Sequence, residues 1–155
     1  MVGSEEIMKE NATKKILRNG TYARNPVSIA AADATVDEII MKKGYVHRNI
    51  EKFGTALMNG IRDILYYRKV DGIVQGYPSM FHVLFTKQDG VHNYREYLKC
   101  DNKFSSKLQE RVLERGVMLS ELFFTCTAHN GEDLQQTLEA FDASLLQQQV
   151  SSKRL

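Results

Sequence analysis

The residues of this chain best suited to chemistry are Gly20 and Thr21, which open the run Gly20-Thr21-Tyr22-Ala23-Arg24-Asn25-Pro26. A backbone amide at a glycine turn and a small hydroxyl both donate readily to phosphate oxygens. The same residues also make an ordinary turn before a capped helix, because Gly, Asn and Pro serve turns everywhere. Residue physics alone favours the turn, so the pair needs context to become a site. Other reactive side chains are scattered. His129 stands between a strand and a helix cap, where an imidazole usually bonds to backbone. His82 lies within a strand, and His47 and His92 lie near helix starts, with no Cys or carboxylate at metal-ligand spacing. Ser79 lacks a Gly-x-Ser-x-Gly elbow, which leaves a hydrolase unsupported. Cys126 is expected to be buried in a strand and inert, since a reactive thiolate needs access and an electropositive setting.

These residues must be placed by helices and short strands. Residues 4–19 predict a short helix and then a turn at Asn19-Gly20. Asn25 is a good N-cap, and Pro26 fits the first helical position, where no amide hydrogen is needed. The helix runs through Ile29, Ala32, Val36, Ile39 and Ile40 and stops at Gly44. A second helix over 46–67 carries the stripe Val46, Ile50, Phe53, Leu57, Ile61, Ile64 and Leu65, weakened locally by Gly54 and Gly60. Ile73-Val74 reads as a short strand ended by Tyr77-Pro78, and Met80 to Thr86 as a second. Residues 92–98 predict a helical turn, and Asp101 caps a helix that ends at Gly116. Two further strands are expected at Val117–Leu119 and Phe123–Thr127. Asn130-x-x-Asp133 resembles a capping box with Asp for the usual Glu. The last helix carries Leu134, Leu138, Phe141 and Leu145, and the tail from Gln147 is expected to fray. Met41, Met58, Met80 and Met118 read as core fillers, and Tyr66 and Tyr67 as core or interface. This order predicts an α+β fold: a small antiparallel sheet with helices on one face, plus an N-terminal helical segment.

Composition excludes several classes. The 155 residues are 43% hydrophobic and 26% charged, which is the balance of a soluble domain with a real core. The net charge is +2 and the basic clusters are short, so no nucleic-acid partner is expected. No apolar run reaches the length of a membrane span. Two cysteines without a Cys-x-x-Cys spacing suit a reduced, cytoplasmic setting.

Three stretches carry a resemblance. The opening Gly3-Ser4-Glu5-Glu6-Ile7-Met8 is one. The second is Gly20-Thr21 through Ala32, in the pattern Gly-Thr-x-x-x-Asn-Pro-x-x-x-Ala-Ala. The third comprises Ser79-Met80-Phe81, Glu114-Arg115-Gly116-Val117-Met118-Leu119, and Phe124 to His129 followed by Glu132-Asp133. Together they resemble the carboxy-terminal part of a class III pyridoxal-phosphate-dependent aminotransferase, in particular the glutamate-1-semialdehyde 2,1-aminomutase subgroup. The resemblance implies residues 1–42 as a remnant of the large cofactor domain, 43–146 as the small domain of a fold type I enzyme, and 147–155 as a tail. It assigns Gly20 and Thr21 to the phosphate of pyridoxal phosphate across a dimer. It also implies an amino-acid-like substrate in the complete enzyme. The family's Schiff-base lysine lies upstream of the Gly-Thr loop, and Lys9, Lys14 and Lys15 do not match its motif. This chain is therefore expected to be inactive alone. Two departures stand out: Arg24 where the family often has Gly, and a shortened loop at Ser120-Glu121-Leu122. The competing expectation is a noncatalytic binding or assembly domain, forming a homo-oligomer or pairing with a full-length or complementary aminotransferase chain.

Overall fold

The computed structural model describes residues 4–12 and 25–152, divided at Lys43–Gly44 into two units. The first unit holds α1 (Glu5–Ala12) and α2 (Pro26–Met41). The Asn25 carboxamide oxygen accepts from the amides of Val27 and Ser28 at 2.9 and 3.1 Å, and Pro26 occupies the first turn, as the sequence predicts. The four alanines of α2 favour a helix without help from packing, and none of its residues is buried. Val27, Ile29, Val36, Ile40 and Met41 are all more than half exposed. The helix stops where Lys43 and Gly44 turn left-handed, at φ 44° and 78°.

The second unit runs α3 (Tyr45–Arg68), β1 (Ile73–Tyr77), β2 (Met80–Leu84), α4 (Tyr94–Tyr97), α5 (Asn102–Leu113), β3 (Leu122–Phe124) and α6 (Gly131–Ser152). It is an α+β fold. The strands pair antiparallel in the order β1-β2-β3. Val74, Phe81 and Val83 point to one face and join a core with Leu57, Met58, Ile61 and Leu65 of α3, Leu108 and Val112 of α5, and Phe141 and Leu145 of α6. Fully burying side chains of this size stabilises by about 1.5–3 kcal/mol each. A fork of two hydrogen bonds ties α3 to α6: Arg68 Nε and Nη2 donate to the two Asp142 carboxylate oxygens, each at 2.6 Å. That contact holds the Asp142 carboxyl below its ordinary range.

Several expectations need correction. Val117–Leu119 forms no strand, because the end of α5 claims its backbone. Gly116 is left-handed at φ 82°, its amide donates to Leu113 carbonyl, and the Val117 amide reaches back to Val112 carbonyl at 3.2 Å. β2 stops at Leu84 because the Phe85 carbonyl accepts from Asp101 at 2.9 Å. β3 stops at Phe124, and the helix of α6 continues through Gln147 to Ser152 rather than fraying. Arg115 Nη2 donates to Gln147 Oε1 at 2.8 Å and steadies that stretch. Met58 is core, but Met41, Met80 and Met118 are exposed; Tyr66 and Tyr67 are exposed too, which takes them out of the core. Cys100 is buried and Cys126 is exposed, the reverse of the expectation for Cys126.

Candidate functional site

Gly20 and Thr21 lie outside the described residues. The Asn25 cap that follows them is formed, so the described part of the motif has the local structure its sequence dictates. Of the remaining candidates, Ser79, Cys126 and His129 meet around the chain segment that leaves α5 and enters α6, whereas His47 lies in the first turn of α3 and His92 bonds to Glu96 beside α4.

This segment, from Gly116 to Thr125, walls a cavity of about 450 Å³ with Phe53 and Leu57 of α3 and Asp133, Gln136 and Thr137 of α6. Its bend is fixed by side chains. Thr125 is 8% exposed, and its hydroxyl donates to Pro78 carbonyl at 2.8 Å while its amide donates to Ser79 carbonyl at 3.2 Å. The Cys126 amide donates to His129 Nδ1 at 3.1 Å, and the His129 amide donates back to Cys126 carbonyl at 3.3 Å. That acceptor role leaves the neutral His129 ring with its proton on Nε2. The ring stacks on Phe53, centroids 5.2 Å apart. His129 therefore holds a turn. The chain then enters α6 through the expected box: the Asn130 amide donates to Asp133 Oδ2 at 2.8 Å, and the Glu132 amide donates to Asn130 Oδ1 at 2.7 Å.

The sequence reading missed Gly54. A β-carbon there would stand 1.9 Å from the Pro78 carbonyl oxygen, so only glycine lets α3 lie against the β1–β2 turn. Its signal was an isolated glycine inside a strong helical stripe, which often marks a close backbone approach. It also missed the cluster beyond the far side of the sheet. His82 Nδ1 lies 3.0 Å from Glu121 carbonyl, and burial, followed by the nearby Glu121 carboxylate, raises the Tyr97 phenol above its ordinary range. Glu96 is held low by accepting from the His92 amide and the Asn93 side chain. No group of three His, Cys, Asp or Glu among the described residues can hold a metal.

No protein-family model matches this chain. Its sequence is 34% identical over 148 residues to glutamate-1-semialdehyde 2,1-aminomutase of Thermoplasma acidophilum, across 92% of this chain and 34% of that protein. The same enzyme of Methanothrix thermoacetophila is 38% identical over 144 residues, across 90% of this chain and 32% of that one. Over this length the chain is homologous to the glutamate-1-semialdehyde 2,1-aminomutases. It spans about a third of the length of these aminomutases. Solved structures agree on the fold. An omega-transaminase from Sphaerobacter thermophilus superposes with a TM-score of 0.74 at 21% identity, over 93% of this chain and 34% of that one. A glutamate-1-semialdehyde aminomutase variant from Pseudomonas aeruginosa in complex with PMP gives 0.75 at 20% identity, over 90% and 33%. Two of the solved neighbours carry a cofactor form: the FumI protein of Sphingopyxis as its PLP internal aldimine, and the Pseudomonas aeruginosa aminomutase variant with PMP.

The described residues do not make a complete seat for that cofactor. The 450 Å³ cavity has room for a small ring, but its lining holds no lysine for an imine and no arginine for a phosphate. Lys87 and Lys99 border a separate surface groove beside Asp71 and Asp101. Lys87 is 87% exposed and sits 3.8 Å from Asp71, outside the lining of the cavity.

Proposed function

We propose that these 155 residues serve as the carboxy-terminal third of a pyridoxal-phosphate-dependent aminotransferase or aminomutase and turn over no amino group by themselves. The observation that carries this reading is the identity to the aminomutases, spread over nine-tenths of this chain and only a third of theirs. In this reading Gly20 and Thr21 donate to the cofactor phosphate, and the lysine that binds the cofactor covalently belongs to the other two-thirds. The cofactor supplies an electron sink for amino-group transfer. The part played by this chain is to close over an amino-acid-like substrate with the Gly116–Thr125 segment, which Thr125 and His129 hold in place.

A second reading is favoured by α2. An exposed helix with apolar residues spread around its axis is built to be covered. The chain would then act as an assembly domain, pairing with a full-length or complementary aminotransferase chain or with itself. The test is a half-reaction: the purified chain, pyridoxal phosphate and a panel of amino donors, with pyridoxamine phosphate measured by chromatography. The expected result is formation no faster than in the protein-free control. Multiple turnovers would overturn the claim of inactivity.

A further inference from the structure

We infer that the cavity walled by the Gly116–Thr125 segment binds a small organic ammonium with an apolar body and excludes carboxylates. The inference rests on reading that segment as a wall of the substrate site, and it narrows the reading. An amino-acid-like substrate turns an apolar or ammonium-bearing end to this cavity and keeps its carboxylate outside it.

The volume of about 450 Å³ is that of a small-molecule site. Most of the wall is apolar: Phe53 and Leu57 from α3, Val117 and Leu119 from the segment, and Phe123 from β3. The Phe123 ring stacks on Phe81 with centroids 4.9 Å apart, and the Phe53 ring on His129 at 5.2 Å, so both rings are held before a ligand arrives. The polar part of the wall comes from α6. Asp133, Gln136 and Thr137 stand at i, i+3 and i+4, the spacing that groups side chains on one helix face. Asp133 uses Oδ2 to accept from the Asn130 amide at 2.8 Å. Its Oδ1, the Gln136 carboxamide and the Thr137 hydroxyl have no partner among the described residues. An apolar pocket with a few unpaired polar groups on one wall has the make-up of a ligand site.

Charge decides which ligand. Among the described residues the lining holds one acid, the half-buried Asp133, and no Lys or Arg. His129 supplies no counter-charge, because its Nδ1 accepts from the Cys126 amide and so carries no proton. The start of a helix would favour an anion, but Glu132 and Asp133 already take that place in the first turn of α6. An entering carboxylate would meet Asp133 with nothing to neutralise the repulsion. An ammonium would gain a charge-assisted hydrogen bond to it.

The test titrates the full chain near neutral pH with phenethylamine and with phenylpropionate, a pair matched in size and opposite in charge, followed by two-dimensional amide NMR. The amine is expected to saturate with a Kd of about 1 mM, shifting amides in 117–125 and 129–137. The acid should bind at least about tenfold more weakly. Asp133→Asn keeps an oxygen for the Asn130 amide and should erase the preference. Thr137→Phe fills the cavity and should abolish binding of the amine. Circular dichroism checks that both variants fold; if either does not, the wild-type preference and the mapped shifts decide. No saturable binding of the amine, equal binding of the acid, shifts confined to other parts of the chain, or a preference that survives Asp133→Asn would overturn the inference. The aminotransferase reading stands or falls separately, on the pyridoxamine phosphate assay, in which no outcome depends on Asp133.

Discussion

Replacing Gly54 by alanine isolates the contact on which the site depends. In an exposed helix interior this change stabilises by about 1 kcal/mol through propensity. At Gly54 the new β-carbon would lie 1.9 Å from the Pro78 carbonyl oxygen, 2.5 Å from its carbon and 2.9 Å from its α-carbon. All three are backbone atoms, so no rotamer relieves the clash. Either α3 bends or the β1–β2 turn retreats by more than an ångström. Overpacking of this kind costs about 1–3 kcal/mol in side-chain cases, and a rigid backbone neighbour places it at the upper end. Set against the propensity gain, Gly54→Ala should destabilise by about 2 kcal/mol, lowering Tm by roughly 10 °C for a domain of this size. The turn it displaces also accepts the Thr125 hydroxyl, so the wall of the cavity should loosen with it. Gly60→Ala is the control. Its β-carbon meets Leu138 Cδ1 and Cδ2 at 2.7 Å, the ends of a flexible side chain, and the net change should lie near zero. Thermal and urea denaturation followed by circular dichroism measure both. A Gly54→Ala variant as stable as wild type would refute the packing argument.

Other substitutions give distinct expectations. Ser144 is fully buried in α6 and its hydroxyl has no partner among the described residues, so Ser144→Ala should stabilise by about 1 kcal/mol in the same melts. Lys69 ends α3 in the left-handed region at φ 54°, where glycine is favoured; Lys69→Gly should stabilise by about 0.5–1 kcal/mol in urea titrations. The Asp142 carboxyl is lowered in the folded state, so its bond to Arg68 contributes above the unfolded carboxylate pKa and is lost as pH falls through the folded value. Asp142→Asn should therefore lower Tm at neutral pH, and the gap to wild type should close in acid, as melts across pH 2–7 would record.

What was legible in the sequence was local. Asn25, Asp101 and the Asn130–Asp133 pair each cap the helix their side chains predict, because a cap is satisfied within three residues. The α3 stripe was legible for the same reason, its core face being set by helical spacing. What failed depended on distant partners. Val117–Leu119 has strand-forming side chains, yet α5 needs the Val117 amide for its own termination. Cys126 follows a strand sequence, but β3 ends at Phe124, and the Thr125 hydroxyl and the His129 ring hold the chain there in a turn. Met80 looks like core from its type alone; the register turns it to the uncovered face. Gly54 looks like a weakness in α3 until Pro78 arrives from the hairpin. The site's bend was legible only as a histidine that would bond to backbone, and the ring of Phe53 beneath it was not.

The most direct test of the central claim is covalent. The purified chain is incubated with pyridoxal phosphate and reduced with borohydride, which fixes any imine to lysine as a stable amine, and the label is mapped by peptide mass spectrometry. The account predicts no single lysine labelled stoichiometrically, only low labelling spread over exposed lysines such as Lys87. One lysine carrying a full equivalent would contradict it, because these residues would then hold the cofactor's anchor themselves.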